Sequence, residues 1–369
     1  MSMSKKILKF FDESKKKMMA SGIFFLVLII IPILLKTTGN TNESYIEGVV
    51  IQCMMWGAMT MTFDLLMGYM GIWCLAQQVF FGIAGYTSAM MNYYLGISPW
   101  LGFVFGPIAA ALLGLLIAVP VLKLKAGPYV VIATMCLSEI VRLVFTNLVD
   151  WTRGELGFWQ MDAFDNIFGI NFDGVDKAPY YYLMFIIFAG IALVCGLLAK
   201  SHNGLAMKAV RDSQEAAESL GVNSTKMKIK IFVISSYMAG FVGVFYAHYS
   251  KILTPSYVFG QDLMTQFIAM DVLGGIATVR GPIFGSFFIT IIMEVLQGID
   301  DYRLIIYAVI LIITTLLLPN GVLNSRTEFL SVNRKIRKKL AEMKERRNAE
   351  IKNKNKTNIS ASENAIKGD

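Results

Sequence analysis

The chain has 369 residues, of which 55% are hydrophobic and 16% are charged, and its formal net charge is +8. Soluble globular domains carry about 25% charged residues, so this composition excludes an ordinary soluble fold and predicts a polytopic membrane protein. The basic residues lie mainly at the two ends and in short loops between apolar runs, not in a patch interleaved with exposed aromatic residues, so they predict no nucleic-acid partner.

Ten apolar runs are candidate membrane-crossing helices, because a spanning helix needs about 20 residues. These runs cover residues 22–36, 46–66, 74–94, 101–122, 128–149, 178–199, 229–250, 263–278, 282–298 and 303–319. Runs 74–94 and 263–278 are interrupted by Gly, Gln and Asp, which leaves open whether they cross completely or form re-entrant or broken helices. The sequence therefore predicts an all-α polytopic membrane protein with about ten transmembrane helices, within a range of eight to ten.

The charges between the runs alternate by side of the membrane. Basic residues dominate one set of segments, namely the N-terminus 1–21, the turn with Lys123 and Lys125, the loop 200–228, the turn with Arg280 and the tail 320–369. Acidic residues dominate the other set, namely the segment around Glu43 and Glu47, the stretch 150–177 and the turn with Asp300 and Asp301. The positive-inside rule makes the basic side cytoplasmic, so both termini are predicted to be cytoplasmic.

The two ends of the chain flank a predicted transmembrane domain at 22–319. The first apolar run follows a lysine cluster, but no small-x-small cleavage site follows Leu35, so we expect an uncleaved helix rather than a signal peptide. The tail from Asn333 onward carries dense charge and has no wide apolar stripe. It is predicted to be a frayed cytoplasmic helix followed by disorder.

Signals for catalysis and metal binding are sparse. The cysteines lie inside apolar runs without metal-ligand spacing and are predicted to be small buried side chains: Cys53, Cys74, Cys136 and Cys195. The two histidines, His202 and His248, form no metal-binding pair, and no nucleophile elbow or GxxxxGK[ST] motif occurs. The chain is therefore predicted not to be an enzyme and to depend on another protein for any use of ATP.

One segment between the apolar runs has the pattern of a soluble amphipathic helix. Small apolar residues recur at helical spacing, and charged residues lie between them; the apolar positions are Ala206, Val210, Ala217 and Leu220. The pattern predicts a helix over 209–223 that lies outside the bilayer. Gly221 is expected to end that helix in a left-handed conformation.

Six blocks of the sequence carry, in their order, a resemblance to a known family. They are GYMGIWCLAQQVFFGIAGYTSA at 68–89, GPYVVIATMCLSEIVRLVFTN at 127–147, WTRGELGF at 151–158, EAAESLGVN at 215–223, FVISSYMAGFVGVFYAHY at 232–249 and VLGGIATVRGPIFGS at 272–286. From about residue 45 to 319 the chain resembles the permease subunits of ABC importers for branched-chain amino acids. The WTRGELGF segment and the long cytoplasmic loop favour the permease type that usually forms the second pore subunit.

The resemblance implies partners and a coupling role for the 209–223 helix. The partners would be two ABC ATPase subunits, a second homologous permease subunit, an extracytoplasmic substrate-binding protein and membrane lipid. ATP would be used by the ATPase subunits, and this chain would bind no cofactor. The coupling helix would enter a groove on an ATPase subunit through Arg211, Asp212, Glu215, Ala216, Ala217, Leu220 and Gly221. The alternative is a solvated connector helix without a partner.

Ionisable residues inside the spans need a specific reason, because insertion scales give a cost of about 2.5–3.5 kcal/mol for Asp, Lys or Arg at mid-membrane. Glu139 and Arg142 have i, i+3 spacing and can pair, either beside a translocation path or against a neighbouring helix. Asp64 and Asp271 depart from the family pattern, which has neutral residues there. The residues expected along the path are Gln77, Gln78, Thr87, Glu139, Arg142, Asp271, Gly274 and Gly275, with helix packing as the alternative for the uncharged ones.

The sequence thus predicts a multi-pass permease subunit of an ATP-driven importer in the bacterial inner membrane. Branched-chain amino acids are the substrates that the resemblance implies, and urea, amides or aromatic acids remain open because related importers share the pattern. A second hypothesis is a self-contained secondary transporter or channel in which Asp64, Glu139 and Asp271 carry coupling ions or protons. A membrane-embedded enzyme is disfavoured because no catalytic constellation is visible.

Overall fold

The computed structural model describes residues 22–37, 43–121, 127–166, 171–172, 176–298, 308–309 and 312. The predicted basic N-terminus 1–21, nearly all of the predicted span 303–319 and the predicted tail 320–369 lie outside these residues. So do the turn with Lys123 and Lys125 and the pair Asp300 and Asp301.

Long helices account for nine of the ten predicted spans within the described part of the chain. They are α1 (Gly22–Thr37), α2 (Glu43–Asp64), α3 (Gln77–Leu95), α4 (Pro99–Val121), α5 (Gly127–Asn147), α7 (Ala178–Lys200), α10 (Ser224–Ser250), α12 (Gln261–Gly274) and α13 (Arg280–Val295). Four shorter helices complete the set: α6 (Val149–Thr152), α8 (His202–Asp212), α9 (Gln214–Ser219) and α11 (Pro255–Val258). The prediction of an all-α membrane protein is confirmed.

Five of the described helices are long and apolar enough to cross a membrane: α2 with its extension to Tyr69, α4, α5, α7 and α10. The two spans whose completeness was left open are irregular. Residues 70–76 are not helical, and α3 begins only at Gln77. Helix α12 has 14 residues, so it is about 21 Å long at 1.5 Å per residue, which is less than the roughly 30 Å hydrocarbon core.

The turn between α12 and α13 is built on closely approaching backbones. Gly275 has φ +118°, outside the range that a residue with a side chain prefers, and it ends α12. A Cβ atom on Gly281 would lie 3.0 Å from the carbonyl carbon of Gly275. The two helices can therefore fold back on each other as a tight hairpin that packs along α2.

The long helices have two ends, which are distinguished here by the elements that they carry. One end carries α8 and α9, and it is called the α8–α9 end. The other carries a two-stranded antiparallel sheet of β1 (Phe158–Trp159) and β2 (Ile252–Leu253), and it is called the β1–β2 end. Helices α7 and α10 run between the two ends, so the two features lie on opposite sides of the bundle.

A buried histidine fastens the segment after β1 to the bundle. His248 of α10 is fully buried; its Nε2 lies 2.7 Å from Ser88 Oγ of α3, and its Nδ1 lies 2.9 Å from the backbone oxygen of Asp162. The Asp162 carboxylate also accepts a hydrogen bond from Asn92 Nδ2 at 3.3 Å. Both ring nitrogens of His248 therefore have partners within the protein, and they join α10 to α3 and to the segment after β1.

Among the five candidate spans, helix α5 is the least covered by protein, with 17% of its most apolar stretch buried. This exposure explains the one departure among the cysteines. Cys53, Cys74 and Cys195 are buried as predicted, whereas Cys136 lies on the open face of α5 and is exposed. An apolar run predicts a helix in the bilayer, but it does not tell which face of that helix the protein covers.

Candidate functional site

The segment predicted as one coupling helix is two helices that meet at Ser213. This residue is extended, with φ −159° and ψ 108°, and its side-chain oxygen accepts a hydrogen bond from the backbone N–H of Ala216 at 3.4 Å. Serine favours this capping arrangement over a helix interior, because its hydroxyl competes for backbone groups. The predicted single helix over 209–223 is therefore wrong in its continuity, and the segment turns a corner after Asp212.

The end of α9 has the expected left-handed glycine. Gly221 has φ +87°, its N–H donates to the carbonyl of Glu218 at 2.9 Å, and the N–H of Val222 donates to the carbonyl of Ala217 at 3.1 Å. This pair of bonds is a Schellman motif, in which the left-handed residue satisfies the last free carbonyls of the helix. The arrangement leaves Leu220 with 85% of its surface exposed.

The predicted apolar ridge is divided between the protein and the solvent. Val210 and Ala217 are buried against the rest of the protein, whereas Ala216 and Leu220 are exposed. Glu215 and Gly221 lie beside the exposed pair and are themselves exposed. The surface available to a partner is therefore the outer side of α9, formed by residues 215, 216, 220 and 221, and it is narrower than the sequence pattern indicated.

Arg211 contacts the membrane domain itself. Its Nη1 donates a hydrogen bond to the backbone carbonyl of Gly68 at 2.6 Å, and its Nε is 3.3 Å from a carboxylate oxygen of Asp212. A Cβ on Gly71 would lie 2.7 Å from Arg211 Cγ, so the glycine leaves room for the arginine stem. Lys208, one turn earlier, lies 5.5 Å from the centre of the Tyr69 ring, within the range of a cation–π contact.

Gly68, whose carbonyl accepts the hydrogen bond from Arg211, belongs to an unusual helix end. Residues Leu65–Tyr69 continue α2 as a single π-helical turn. Just before this turn, Asp64 Oδ1 accepts a hydrogen bond from the backbone N–H of Ala277, in the loop between α12 and α13, at 2.7 Å. Gly68 lies against both groups, since its Cβ would be 2.6 Å from the Ala277 nitrogen. Helix α8, the end of α2 and the α12–α13 loop therefore meet around Gly68.

Gln77, Gln78 and Thr87 lie on α3 inside the bundle. Gln77 is buried, and its Nε2 donates to Thr62 Oγ1 at 2.8 Å and to Ser235 Oγ at 3.1 Å, which ties α3 to α2 and α10. Gln78 is buried and reaches the backbone of Leu75, and Thr87 bonds the backbone of its own helix. These contacts match the helix-packing alternative, and a place for these residues along a path stays a prediction.

Glu139 and Arg142 form the expected pair on α5. Arg142 Nε donates to Glu139 Oε2 at 3.0 Å, and Arg142 Nη2 also contacts Glu139 Oε1. Their side chains remain 44% and 28% exposed, respectively. Among the described residues the pair has no further ion-pair partner on a neighbouring helix. Ser138, one turn before Arg142, is fully buried and accepts a hydrogen bond from Gln261 Nε2 at the start of α12, so this contact joins α5 to α12 beside the pair.

The remaining predicted path residues, Asp271, Gly274 and Gly275, lie at the end of α12. Asp271 is fully buried, and neither of its carboxyl oxygens receives a hydrogen bond from a donor in the described part of the chain. The eight predicted path residues therefore lie in three separate places: the core along α3, the open face of α5 and the end of α12.

A cavity of about 280 Å³ lies between α2, α10, α12 and α13, with α11 at its edge. Its wall combines aromatic rings, methionines and isolated polar groups: Gln52, Met55, Trp56, Tyr246, Tyr249, Ser250, Tyr257, Gln266, Met270, Ile289, Thr290, Met293 and Glu294. None of the eight predicted path residues belongs to this wall. The signal that could have indicated it is the isolated polar residue within an apolar run, as at Gln52, Gln266 and Glu294.

Known proteins resemble this chain over its membrane domain. The family described as branched-chain amino acid transport system / permease component matches residues 45–315. The permease protein LivM of high-affinity branched-chain amino acid transport is 27% identical over 281 residues, both in Salmonella typhimurium and in Escherichia coli. This match covers 70% of the chain and 65% of each relative, so the chain spans just under two thirds of their length.

A relative with a different printed substrate matches as well. The L-arabinose ABC transporter permease protein AraH of Azospirillum brasilense is 25% identical over 247 residues, which is 65% of the chain and 68% of the relative. No solved structure matches the chain at a significant level. Because the family match extends over well more than half of the chain, and the described helices include five that are able to cross a membrane, the protein is a multi-pass member of the branched-chain amino acid ABC permease family.

Proposed function

We propose that this chain is a pore-forming subunit of an ATP-driven importer, in which α9 docks on an ATPase subunit and α8 passes the movement to α2. The observation that carries this proposal is the 2.6 Å hydrogen bond from Arg211 to the carbonyl of Gly68. It joins a solvent-exposed helical segment directly to the end of a buried membrane helix. A solvated connector would have no need of such an attachment, and the exposed Leu220 beside it offers an apolar contact to a partner.

The assembly proposed here contains two ATPase subunits, a second permease and an extracytoplasmic binding protein. In this arrangement the α8–α9 end faces the cytoplasm, and the β1–β2 end receives the solute. We place the second permease and the translocation path against the exposed face of α5. Glu139 and Arg142 would be costly against lipid, whereas a polar path or a protein partner accommodates them. Partial exposure of both side chains agrees with that placement.

The solute class we propose is the branched-chain amino acid. The LivM relatives are named for it, and they match over more of this chain than the arabinose permease does. The cavity beside α2 supports a small solute with both apolar and polar parts. Trp56 and Tyr246 provide apolar faces, while Gln266 and Glu294 provide hydrogen-bonding groups at the same wall. Glu294 suits an ammonium group, which a sugar lacks.

A secondary transporter or channel is the second candidate, and the buried carboxyl groups of Asp64 and Asp271 favour it. Buried ionisable residues in membrane helices commonly mark ion or proton pathways. That candidate gives no role to α9 or to its exposed leucine, however. It predicts solute movement without any ATP-hydrolysing subunit.

Two leucines at opposite ends of the helices allow a matched test. Leu220 is 85% exposed on α9, and Leu156 is 75% exposed in the short 3₁₀ turn Gly154–Leu156 at the β1–β2 end. The tagged chain would be purified in mild detergent from its native membranes, and the ATP hydrolysis that co-purifies would be measured. Leu220→Asp should reduce it at least tenfold, and Leu156→Asp should not.

Uptake of labelled leucine and labelled arabinose in the same cells separates the solute classes. Leucine uptake that disappears in Leu220→Asp supports the proposal. The secondary-transporter candidate gains support instead if no ATP hydrolysis co-purifies with the unaltered chain and uptake survives in Leu220→Asp.

A further inference from the structure

Two buried carboxyl groups face each other where α2 ends and α12 ends. Asp64 is 2% exposed and Asp271 is fully buried. Two contacts bring the helix ends together at this point: Thr60 Oγ1 lies 3.7 Å from Met270 Sδ, and the backbone N–H of Ala277 donates to Asp64 Oδ1 at 2.7 Å. The two carboxyl side chains are therefore close enough to interact with each other. No donor in the described part of the chain reaches either oxygen of Asp271. The neighbour with which the Asp271 carboxyl interacts is therefore another carboxyl, that of Asp64.

Two carboxylates in contact inside a protein cannot both stay ionised, since each loses its water and meets a like charge. A hydrogen bond between two carboxyl groups requires a proton on one of them. We propose that Asp64 and Asp271 bind one proton between them, and that this shared proton joins the end of α2 to the end of α12. Neither the assembly nor the solute enters this proposal, so it is independent of the transport role.

The surroundings fit a pair that carries a single negative charge. Asp64 Oδ1 accepts a hydrogen bond from the backbone N–H of Ala277 at 2.7 Å, and the next backbone N–H, that of Thr278, also favours its negative charge. The guanidinium of Arg211 acts on Asp64 from α8. One remaining negative charge has enough partners in these three groups, and a second negative charge would have none of its own.

Two further titratable groups interact with Asp64: the thiol of Cys195 on α7 and the phenol of Tyr69 at the end of α2. Neither a thiol nor a phenol can carry a positive charge, so they do not balance a second negative charge. A metal ion is a poorer occupant than a proton. The atoms around Asp64 are N–H donors, whereas a hard cation requires several oxygen ligands, and no group of three metal-ligating side chains exists among the described residues.

The proton has a mechanical consequence because of its place in the chain. Asp64 lies one helical turn before Gly68, whose carbonyl accepts the Arg211 hydrogen bond. Loss of the proton would set two negative charges against each other at this junction. It would force α12 and its loop away from α2 at the point where α8 is attached.

Infrared difference spectroscopy of the purified full-length chain tests the shared proton. A protonated carboxyl gives a carbonyl band above the amide I region that shifts in D₂O. Asp271→Asn and Asp64→Asn should each remove one such band, because the amide donates in place of the proton. Asp262→Asn, an exposed carboxylate on the same helix α12, is the control and should leave every band unchanged. Survival of all bands in both buried-site variants would overturn the proposal.

Thermal unfolding against pH provides the second measurement. The folded pair binds more protons than two separate carboxylates in the unfolded chain, so stability must fall as pH rises through loss of the shared proton. Asp271→Asn should flatten that slope, and Asp262→Asn should keep it. A slope unchanged by Asp271→Asn would contradict the shared proton. Stability that depends on sodium and not on pH would assign the pair to a cation instead.

Discussion

Arg211 and Gly68 are 143 positions apart in the chain, and the guanidinium of the first donates a 2.6 Å hydrogen bond to the backbone carbonyl of the second. The acceptor is a main-chain atom, so no substitution at Gly68 removes it directly. The hydrogen bond can be lost only through a change of the arginine or through movement of the helix end. A substitution of Arg211 is therefore the direct test of this connection between α8 and α2.

Arg211→Ala should weaken the connection between α8 and α2 without removing the docking surface on α9. The lost charge-assisted hydrogen bond is worth about 1.5–3 kcal/mol. We expect the variant to retain co-purifying ATPase subunits and to lose most solute-stimulated ATP hydrolysis and uptake. Asp212→Asn is the matched control, since it removes an exposed ion pair that contributes little. Loss of ATPase binding together with uptake would instead place Arg211 at the docking surface, as the family resemblance implied.

Gly221→Val should damage coupling through the backbone. A residue with a side chain pays about 1–2 kcal/mol for a left-handed conformation, and the end of α9 would have to change. Space is not the obstacle, because a Cβ at Gly221 would meet no atom within 4 Å. Gly221→Asn, which tolerates this conformation better, should keep most activity. The measurements are membrane abundance and ATPase co-purification. Equal ATPase co-purification with the two variants, at equal membrane abundance, would refute the role of the left-handed turn.

Arg142→Ala should impair the protein more than the double change Glu139→Ala with Arg142→Ala. The single change leaves a carboxylate uncompensated on α5, while the double change leaves no charge. The cost should be smaller than the roughly 3–5 kcal/mol of a fully buried pair, because both side chains are partly exposed. Folded yield after detergent extraction and uptake are the readouts. A double variant that is worse than the single one would show that the two residues act separately.

Topology can be measured with engineered cysteines at two exposed positions. Asp165→Cys, at the β1–β2 end, should react with an impermeant thiol reagent added outside intact cells, and Ser213→Cys, at the α8–α9 end, should not. The native cysteines must be replaced first, above all the exposed Cys136. Reaction of Ser213→Cys after the membrane is opened serves as the positive control. Labelling of both positions from outside would disprove the proposed orientation.

The helix positions were predictable because apolar runs of sufficient length leave few alternatives in a membrane. The left-handed conformation of Gly221 was predictable because a glycine followed a helical pattern. The break at Ser213 was harder to foresee, since serine is tolerated in helices and the apolar spacing continued past it. A hydroxyl's choice between capping and solvent depends on how the flanking helices dock.

Long-range neighbours were not predictable from a single sequence. Asp64 and Asp271 each stood out as charges in apolar runs, but nothing in the pattern indicated that they would face each other. The same holds for Gln77, whose contacts with Thr62 and Ser235 join three helices. Spacing along a helix predicts which side chains share a face, and it carries no information about which other helix covers that face.

The π-helical turn at Leu65–Tyr69 makes the length of this stretch as important as its composition. A π-turn holds about one residue more than an α-turn, and successive helical residues are about 100° apart around the axis. Removing any one residue there would restore regular winding and rotate the carbonyl of Gly68 away from α8. The additional residue thus sets the direction of the Gly68 carbonyl at the end of α2. A deletion that changes neither charge nor hydrophobicity would therefore leave Arg211 without its hydrogen-bond acceptor.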